Sequence, residues 1–198
     1  MPEYSLVEIF RSLQGEGRNT GRQVVFVRFA GCNLACPWCD TDKTPRFTLP
    51  LVELVAEIKS YGVKSVILTG GEPTQVVRME ELVAALKAEG FWIAVETNGT
   101  AAPGWLQFVD YVAASPKLEY QERIVLKAAD EVRVVASGEE TAVVDFCRQM
   151  QREIAATDYY VSPCDVGGNI DFATAKAVLA RLPKWSLSVQ LHKLLGFR

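Results

Sequence analysis

Three of the chain's five cysteines, Cys32, Cys36 and Cys39, fall within eight consecutive residues, and no other feature constrains the fold and chemistry so tightly. Cys147 and Cys164 lie far downstream, so the cluster is neither one end of a paired disulfide framework nor a closed four-ligand zinc site. Three thiolates on one short loop can hold one inorganic centre. A four-iron cluster ordinarily takes four cysteine thiolates, one per iron, so a loop offering three leaves one iron open to a non-protein ligand. An open iron points to chemistry rather than storage. The bland alternative is three buried thiols packed as small hydrophobes, but Gly31, Pro37 and Asp40 in the same stretch do not look like core packing.

At 198 residues with 49% hydrophobic content, the chain is long enough for one sizeable core, and no low-complexity linker divides it. Residues 1–198 therefore read as a single domain. The net charge of -3, with no Lys/Arg run, argues against an electrostatic nucleic-acid footprint and favours a small substrate over a polymer. The N-terminus lacks the basic and apolar regions of a signal peptide, and no apolar stretch approaches membrane-spanning length. The expectation is a cytoplasmic protein with no membrane partner, in a compartment where clustered thiols serve metals or catalysis rather than disulfides.

Residues 4–10 read as a strand, broken by residues 11–17. Residues 24–29 form a nearly continuous apolar run interrupted by Arg28, the profile of a strand covered on both faces. The cysteine loop begins directly after it, at the strand end where α/β folds place their chemistry. Leu51, Leu54, Val55 and Ile58 predict an amphipathic helix ending near Gly62, and residues 66–68 a short buried strand. Met79, Leu82, Val83 and Leu86 repeat the helical spacing, Gly90 stops it, and residues 91–95 give the next strand. Strands follow at residues 111–114, 131–135, 159–161 and 186–189. Val143, Phe146, Cys147, Met150 and Ile154 mark one further helix, with Cys147 on its core face, and Ala175, Val178, Leu179 and Leu182 mark the last. This alternation predicts an α/β fold with a largely parallel sheet, an incomplete TIM-like barrel with too few helices for a full one.

If the strands are parallel, the segments leaving them share one rim. Gly70-Gly71-Glu72-Pro73 offers backbone that can approach a ligand closely and a carboxylate that can accept from an ammonium group. Residues 96–100 bring a carboxylate and an amide suited to ribose or purine groups. Ser115, Pro116 and Lys117 end another strand, and His192, the only histidine, stands beside Lys193 after the last one. Alone, each of these is compatible with an ordinary polar turn or a solvated charge.

The C-x-x-x-C-x-x-C spacing, together with Gly70 to Pro73, resembles the radical S-adenosylmethionine (SAM) superfamily, in which SAM fills the open iron site. Four segments read together sharpen this: Leu13-Gln14-Gly15-Glu16-Gly17, the loop ending in Cys39-Asp40-Thr41, Ser115-Pro116-Lys117, and Gln190-Leu191-His192-Lys193. They resemble the 7-carboxy-7-deazaguanine synthase family over nearly the whole chain. The resemblance implies a partial barrel of the radical SAM type with its active site at the C-terminal strand ends. It implies conversion of 6-carboxy-5,6,7,8-tetrahydropterin to 7-carboxy-7-deazaguanine with loss of ammonia, on the route to deazapurines such as queuosine. The implied cofactors are a 4Fe-4S cluster, SAM and Mg²⁺, in a homodimer served by an electron donor such as a flavodoxin or ferredoxin.

By the same resemblance, Cys32, Cys36 and Cys39 are the cluster ligands and Thr41 the magnesium ligand. Trp38, Asp40, Gly71, Glu72, Ser115, Pro116 and Lys117 line the SAM site, with Ser162, Pro163, Cys164 and Asp165 where the family commonly has Gln-Pro. Leu13, Gln14, Gly15, Arg28 and Thr69 bind substrate; Glu16, His192 and Lys193 act in catalysis. The family often ends in a proline whose carboxylate contacts substrate, and Arg198 stands at that position here. A glycyl-radical activating enzyme shares the cysteine spacing, and a non-catalytic iron–sulfur carrier needs the cysteines alone; the former would take a protein substrate, and the latter would form no 5′-deoxyadenosine.

Overall fold

The structure, a computed structural model, describes residues 2–197. Its main sheet has nine strands: β1 (Glu3–Leu13), β2 (Gln23–Phe29), β3 (Phe47–Pro50), β4 (Ser65–Gly70), β5 (Trp92–Thr97), β6 (Tyr111–Ala114), β7 (Glu131–Ala136), β8 (Asp158–Pro163) and, last in the chain, β11 (Ser186–Leu187). A small hairpin of β9 (Asp165–Val166) and β10 (Asn169–Ile170) lies between β8 and the rest. The spatial order is β11-β8-β7-β6-β5-β4-β2-β1-β3, and its two outer strands do not pair, so the sheet is open, as in a partial barrel. Strands β2, β4, β5, β6, β7, β8 and β11 run parallel. The first and third strands add an antiparallel edge, β1 against β2 and β3 against β1.

The strand at residues 4–10 thus runs on to Leu13, where its backbone pairs with Gln23 across the β1–β2 connection. Arg11 and Ser12 interrupt the apolar run beyond the part of β1 (residues 3–6) that pairs with β3, where the strand has a neighbour on one side only. Two parallel crossovers lack α-helices and use 3₁₀ turns, at Gly104–Phe108 and Leu118–Arg123, which is how a barrel-like sheet fits this length.

The period of two along each strand divides the interior into two layers. On the outer face, Val25, Val27, Val66, Leu68, Ile93 and Val95 pack against α1 (Leu51–Ser60) and α2 (Met79–Ala88) through Leu54, Ile58, Leu82 and Leu86. Val132, Val134 and Val161 pack against α3 (Glu140–Glu153) and α4 (Phe172–Ala180) in a second cluster. Cys147 belongs to that cluster, fully buried, with its thiol pushed up to about 12 by burial, as its place on the apolar helical stripe requires. On the concave face, Val24, Ile67, Ala94, Tyr111 and Ala113 close the floor. Above them the concave positions become polar: Arg28, Thr69, Glu96 and Glu131 follow the same alternation, and the two-residue steps place them on the concave side rather than against the helices.

Candidate active site

The cysteine loop leaves β2 without regular secondary structure, and the chain around it holds its course. Gly71 N–H donates to Phe29 O (2.9 Å), Glu72 N–H to Gly31 O (3.0 Å) and Gly31 N–H to Lys43 O (3.0 Å). Gly70 has φ +120, and a Cβ there would stand 2.3 Å from Phe29 O; a Cβ on Gly71 would stand 1.3 Å from Gly31 O. The glycine pair therefore lets two backbones meet, which fixes the cysteine loop against the end of β4. Asn33 locks the far side, donating to Thr100 Oγ1 (2.7 Å) and accepting from Asn98 Nδ2 (3.0 Å).

Cys32, Cys36 and Cys39 are free thiols, the first two half-buried and the third exposed. They line a cavity of about 210 Å³ together with Trp38, Gly71, Glu72, Ser115 and Lys117. Among the described residues no three His, Cys, Asp or Glu side chains converge as on a single metal ion. A four-iron cluster asks for something else, since each thiolate binds a separate iron and the sulfurs need not meet at one point. Three free thiols lining one cavity suit that donor set. Burial pushes the Cys36 thiol up, and the neighbouring Lys117 ammonium acts in the opposite sense. Lys117 Nζ donates to Ser115 Oγ (2.7 Å) and lies 5.1 Å over the Trp38 ring. Pro116, between Ser115 and Lys117 in sequence, is buried.

Glu72 was expected to accept from an ammonium group. It is 1% exposed and already accepts from Thr97 Oγ1 (2.7 Å), Asn98 N (2.7 Å), Thr74 N (3.0 Å) and Thr74 Oγ1 (2.7 Å). Its carboxylate thereby ties the turns after β4 and β5 into one rim.

A second cavity of about 510 Å³ adjoins the first and is lined by Leu13, Gln14, Glu16, Arg28, Asp40, Thr41, Thr69, His192 and Lys193. Arg28 Nε is paired with Glu8 (2.8 Å) at its edge. Gly15 lines neither cavity: its carbonyl accepts from Leu191 N (3.2 Å), and a Cβ on it would stand 2.8 Å from His192 Nδ1. His192 and Lys193 lie on a five-residue helix, α5 (Leu191–Leu195), where the sequence pattern predicts a rim segment without periodicity. Lys193 Nζ bridges Asp40 and Asp165, the latter at 2.6 Å. Burial disfavours the Lys193 cation, but the two carboxylates outweigh it and raise its pKa. The Thr41 hydroxyl donates to Asp40 Oδ1 (3.4 Å). One hydroxyl is a sparse donor set, yet Mg²⁺ commonly takes few protein ligands and fills its octahedron with water and substrate oxygens.

Ser162, Pro163, Cys164 and Asp165 line neither cavity. Ser162 and Pro163 are inside β8, which extends beyond residues 159–161, and Ser162 Oγ is buried without a partner among the described residues. Asp165 is occupied by Lys193 and by Gly168 N–H (2.8 Å). Arg198 lies outside the described residues.

The residue that sequence reasoning missed is Arg133, whose side chain is 6% exposed. Its NH1 donates to Glu16 Oε2 (2.7 Å) and its NH2 to Glu96 Oε1 (2.8 Å), while Nε lies 2.8 Å from Glu131 Oε1 in an ionic contact too misaligned for a hydrogen bond. Burial alone would raise the Glu96 carboxyl; Arg133, with Gln14 (3.0 Å) and Thr69 (2.8 Å) donating, reverses this and holds it at about 2. The available signal was the run Glu131-Val132-Arg133-Val134, in which charge alternates with valine on a strand.

The sequence pattern of the Radical SAM superfamily matches residues 26–114, from β2 through β6. A 7-carboxy-7-deazaguanine synthase of Neisseria meningitidis serogroup B is 46% identical over 98% of this chain and 94% of its own length. That of Haemophilus influenzae is 41% identical over the same shares. A crystal structure of QueE from Escherichia coli superposes with a TM-score of 0.73 over 95% of this chain and 94% of that one; at 24% identity it speaks for the fold. With full-length relatives of this identity and a partial barrel that carries three free thiols on the loop after β2, the chain belongs to the 7-carboxy-7-deazaguanine synthase family of radical SAM enzymes.

Proposed function

We propose that this radical SAM lyase converts 6-carboxy-5,6,7,8-tetrahydropterin to 7-carboxy-7-deazaguanine with release of ammonia. One observation carries the reading: Glu16, Asp40, Thr41, Thr69, Glu96 and Gln190 line both cavities, so groups held on either side contact the same side chains. When bound, a 4Fe-4S cluster on Cys32, Cys36 and Cys39, SAM beside Trp38, Ser115 and Lys117, and Mg²⁺ at Thr41 supply a carbon-centred radical able to take hydrogen from the pterin and positive charge for its oxygens.

The chain's own residues do the rest. Arg28, at the larger cavity, offers the pterin carboxylate a charge-assisted partner. Gln14 and Thr69 hold Glu96 in place beside the substrate. Glu16, His192 and Lys193 are the groups able to hold or move a proton as ammonia leaves. Lys193 also ties α5 to the cysteine loop through Asp40, covering the junction of the cavities. We further infer a cytoplasmic homodimer reduced by a flavodoxin or ferredoxin.

The test is anaerobic reconstitution followed by incubation with SAM, a reductant, Mg²⁺ and the carboxypterin; formation of the deazaguanine acid supports the reading, and its absence rejects it. Thr41→Ala is expected to flatten the dependence of rate on Mg²⁺ concentration and to leave cluster content unchanged. An unaltered Mg²⁺ titration would remove Thr41 from the metal site.

A further inference from the structure

Arg133 is a buried cation facing three carboxylates from three parts of the chain: Glu16 after β1, Glu96 at the end of β5 and Glu131 on its own strand. In the sheet register Glu96 pairs with Ala113, and Ala113 with Glu131. The small side chain at Ala113 leaves a gap in that row, and the guanidinium reaches from one acid to the other. Only a planar fork can serve separate carboxylates from separate nitrogens. Glu131 is otherwise engaged, accepting from Tyr111 OH (2.8 Å) and Arg18 N (3.0 Å) and filling the space beside Gly17. Glu16 and Glu96 are the two that line the cavities.

We propose that Arg133 is a positioning residue that fixes Glu16 and Glu96 as charged acceptors on the wall between the cavities, facing a substrate that presents N–H donors. This rests on the synthase reading for the identity of the substrate. Glu16 Oε2 takes Arg133 and Oε1 takes Gln190 Nε2 (2.9 Å), so each oxygen keeps a further lone pair for a ligand. Without the guanidinium, the three acids lose the one cation they share, and their mutual repulsion favours uptake of a proton by the group. Arg18, Lys117 and Arg28 are the nearby cations, and Arg18 and Arg28 are already paired with Asp158 (2.6 Å) and Glu8. One acid would take up a proton and turn from acceptor to donor, which reverses its hydrogen-bonding sense toward the substrate.

The experiment compares cluster-reconstituted wild type with Arg133→Met and Arg133→Lys at neutral pH, by infrared spectroscopy of the carboxyl region and by pterin affinity. Arg133→Met is expected to show a protonated carboxyl band that wild type lacks, and to bind the pterin roughly a hundredfold more weakly, with cluster content retained and SAM affinity reduced by less than pterin affinity. Arg133→Lys keeps the charge without the fork, and is expected to lack the band and to recover part of the affinity. If Arg133→Met does not fold, Arg133→Lys decides: wild-type affinity overturns the proposal and weakened affinity supports it. No new carboxyl band in a folded Arg133→Met, or equal losses of SAM and pterin binding, would also overturn it. A wild type that makes no deazaguanine acid rejects the synthase reading, while the infrared comparison still decides whether Arg133 keeps the acids charged.

Discussion

Cys32→Ala is expected to give a folded, colourless protein with no iron–sulfur absorbance and no turnover. The loop does not depend on this thiol for its shape: the Cys32 sulfur makes two long hydrogen bonds, accepting from Leu34 N at 3.4 Å and donating to Asn33 Oδ1 at 4.0 Å, while Gly31, Asn33 and Ala35 are fixed by bonds to Lys43, Thr100 and Tyr120. The change in stability should be about 1 kcal/mol or less, as for a half-buried group outside the packed core. The chemical effect is total, because two thiolates remain where three irons need a ligand. Iron content, visible absorbance and product formation, measured on one preparation, should vanish together. Turnover without the cluster would refute the ligand assignment.

The second large effect is expected at a residue that carries no chemistry. Gly71→Ala would drive a methyl group to 1.3 Å from the Gly31 carbonyl oxygen, a backbone atom that cannot rotate aside. Either the end of β4 or the entry of the cysteine loop must move, breaking the bonds from Gly71 N–H to Phe29 O and from Glu72 N–H to Gly31 O. Overpacking ordinarily costs about 1–3 kcal/mol, and a backbone collision is at the upper end or beyond. Gly71→Ala should therefore lower the melting temperature by many degrees and reduce iron incorporation even where it folds. Gly62→Ala is the control. That glycine has positive φ (+68), but a Cβ there meets nothing within 4 Å, so the variant should lose a smaller amount of stability and keep its cluster.

These two substitutions also show what was legible in the sequence. The cysteine spacing and the Gly-Gly-Glu-Pro segment are local, and each was readable as a motif. Their mutual packing is not local: Gly71 meets Gly31 because β4 pairs with β2 in parallel, Phe29 beside Gly70. The helices α1 and α2 were legible because a stripe at i, i+3, i+4 and i+7 has one physical interpretation. Strand β3 was not, since Phe47–Pro50 is a four-residue edge that ends in proline and shows no alternation long enough to register. The antiparallel edge of the sheet was missed with it. The final strand is two residues rather than four, and the residues after it wind into α5, too short for a periodic pattern.

The site divides in the same way. Leu13, Gln14, Glu16, Arg28, Thr69, His192 and Lys193 were named from the resemblance, and the fold gathers them around one cavity. Arg133 has no motif of its own. Its significance comes from Glu16, 117 residues away in sequence, and Glu96, 37 residues away, arriving at one guanidinium. Segment 162–165, a position carried over by analogy, is a strand end and an ion pair outside both cavity linings.

The central claim is that the two cavities form one reaction site, with the pterin on one side and SAM on the other. Its most direct measurement is product formed against limiting SAM, by mass spectrometry, with the reconstituted enzyme, excess carboxypterin, reductant and Mg²⁺ under anaerobic conditions. The account predicts more 7-carboxy-7-deazaguanine than SAM supplied, the result expected where one site would hold SAM and the pterin together and return the abstracted hydrogen to its donor. SAM consumed to 5′-deoxyadenosine with the pterin unchanged would contradict it.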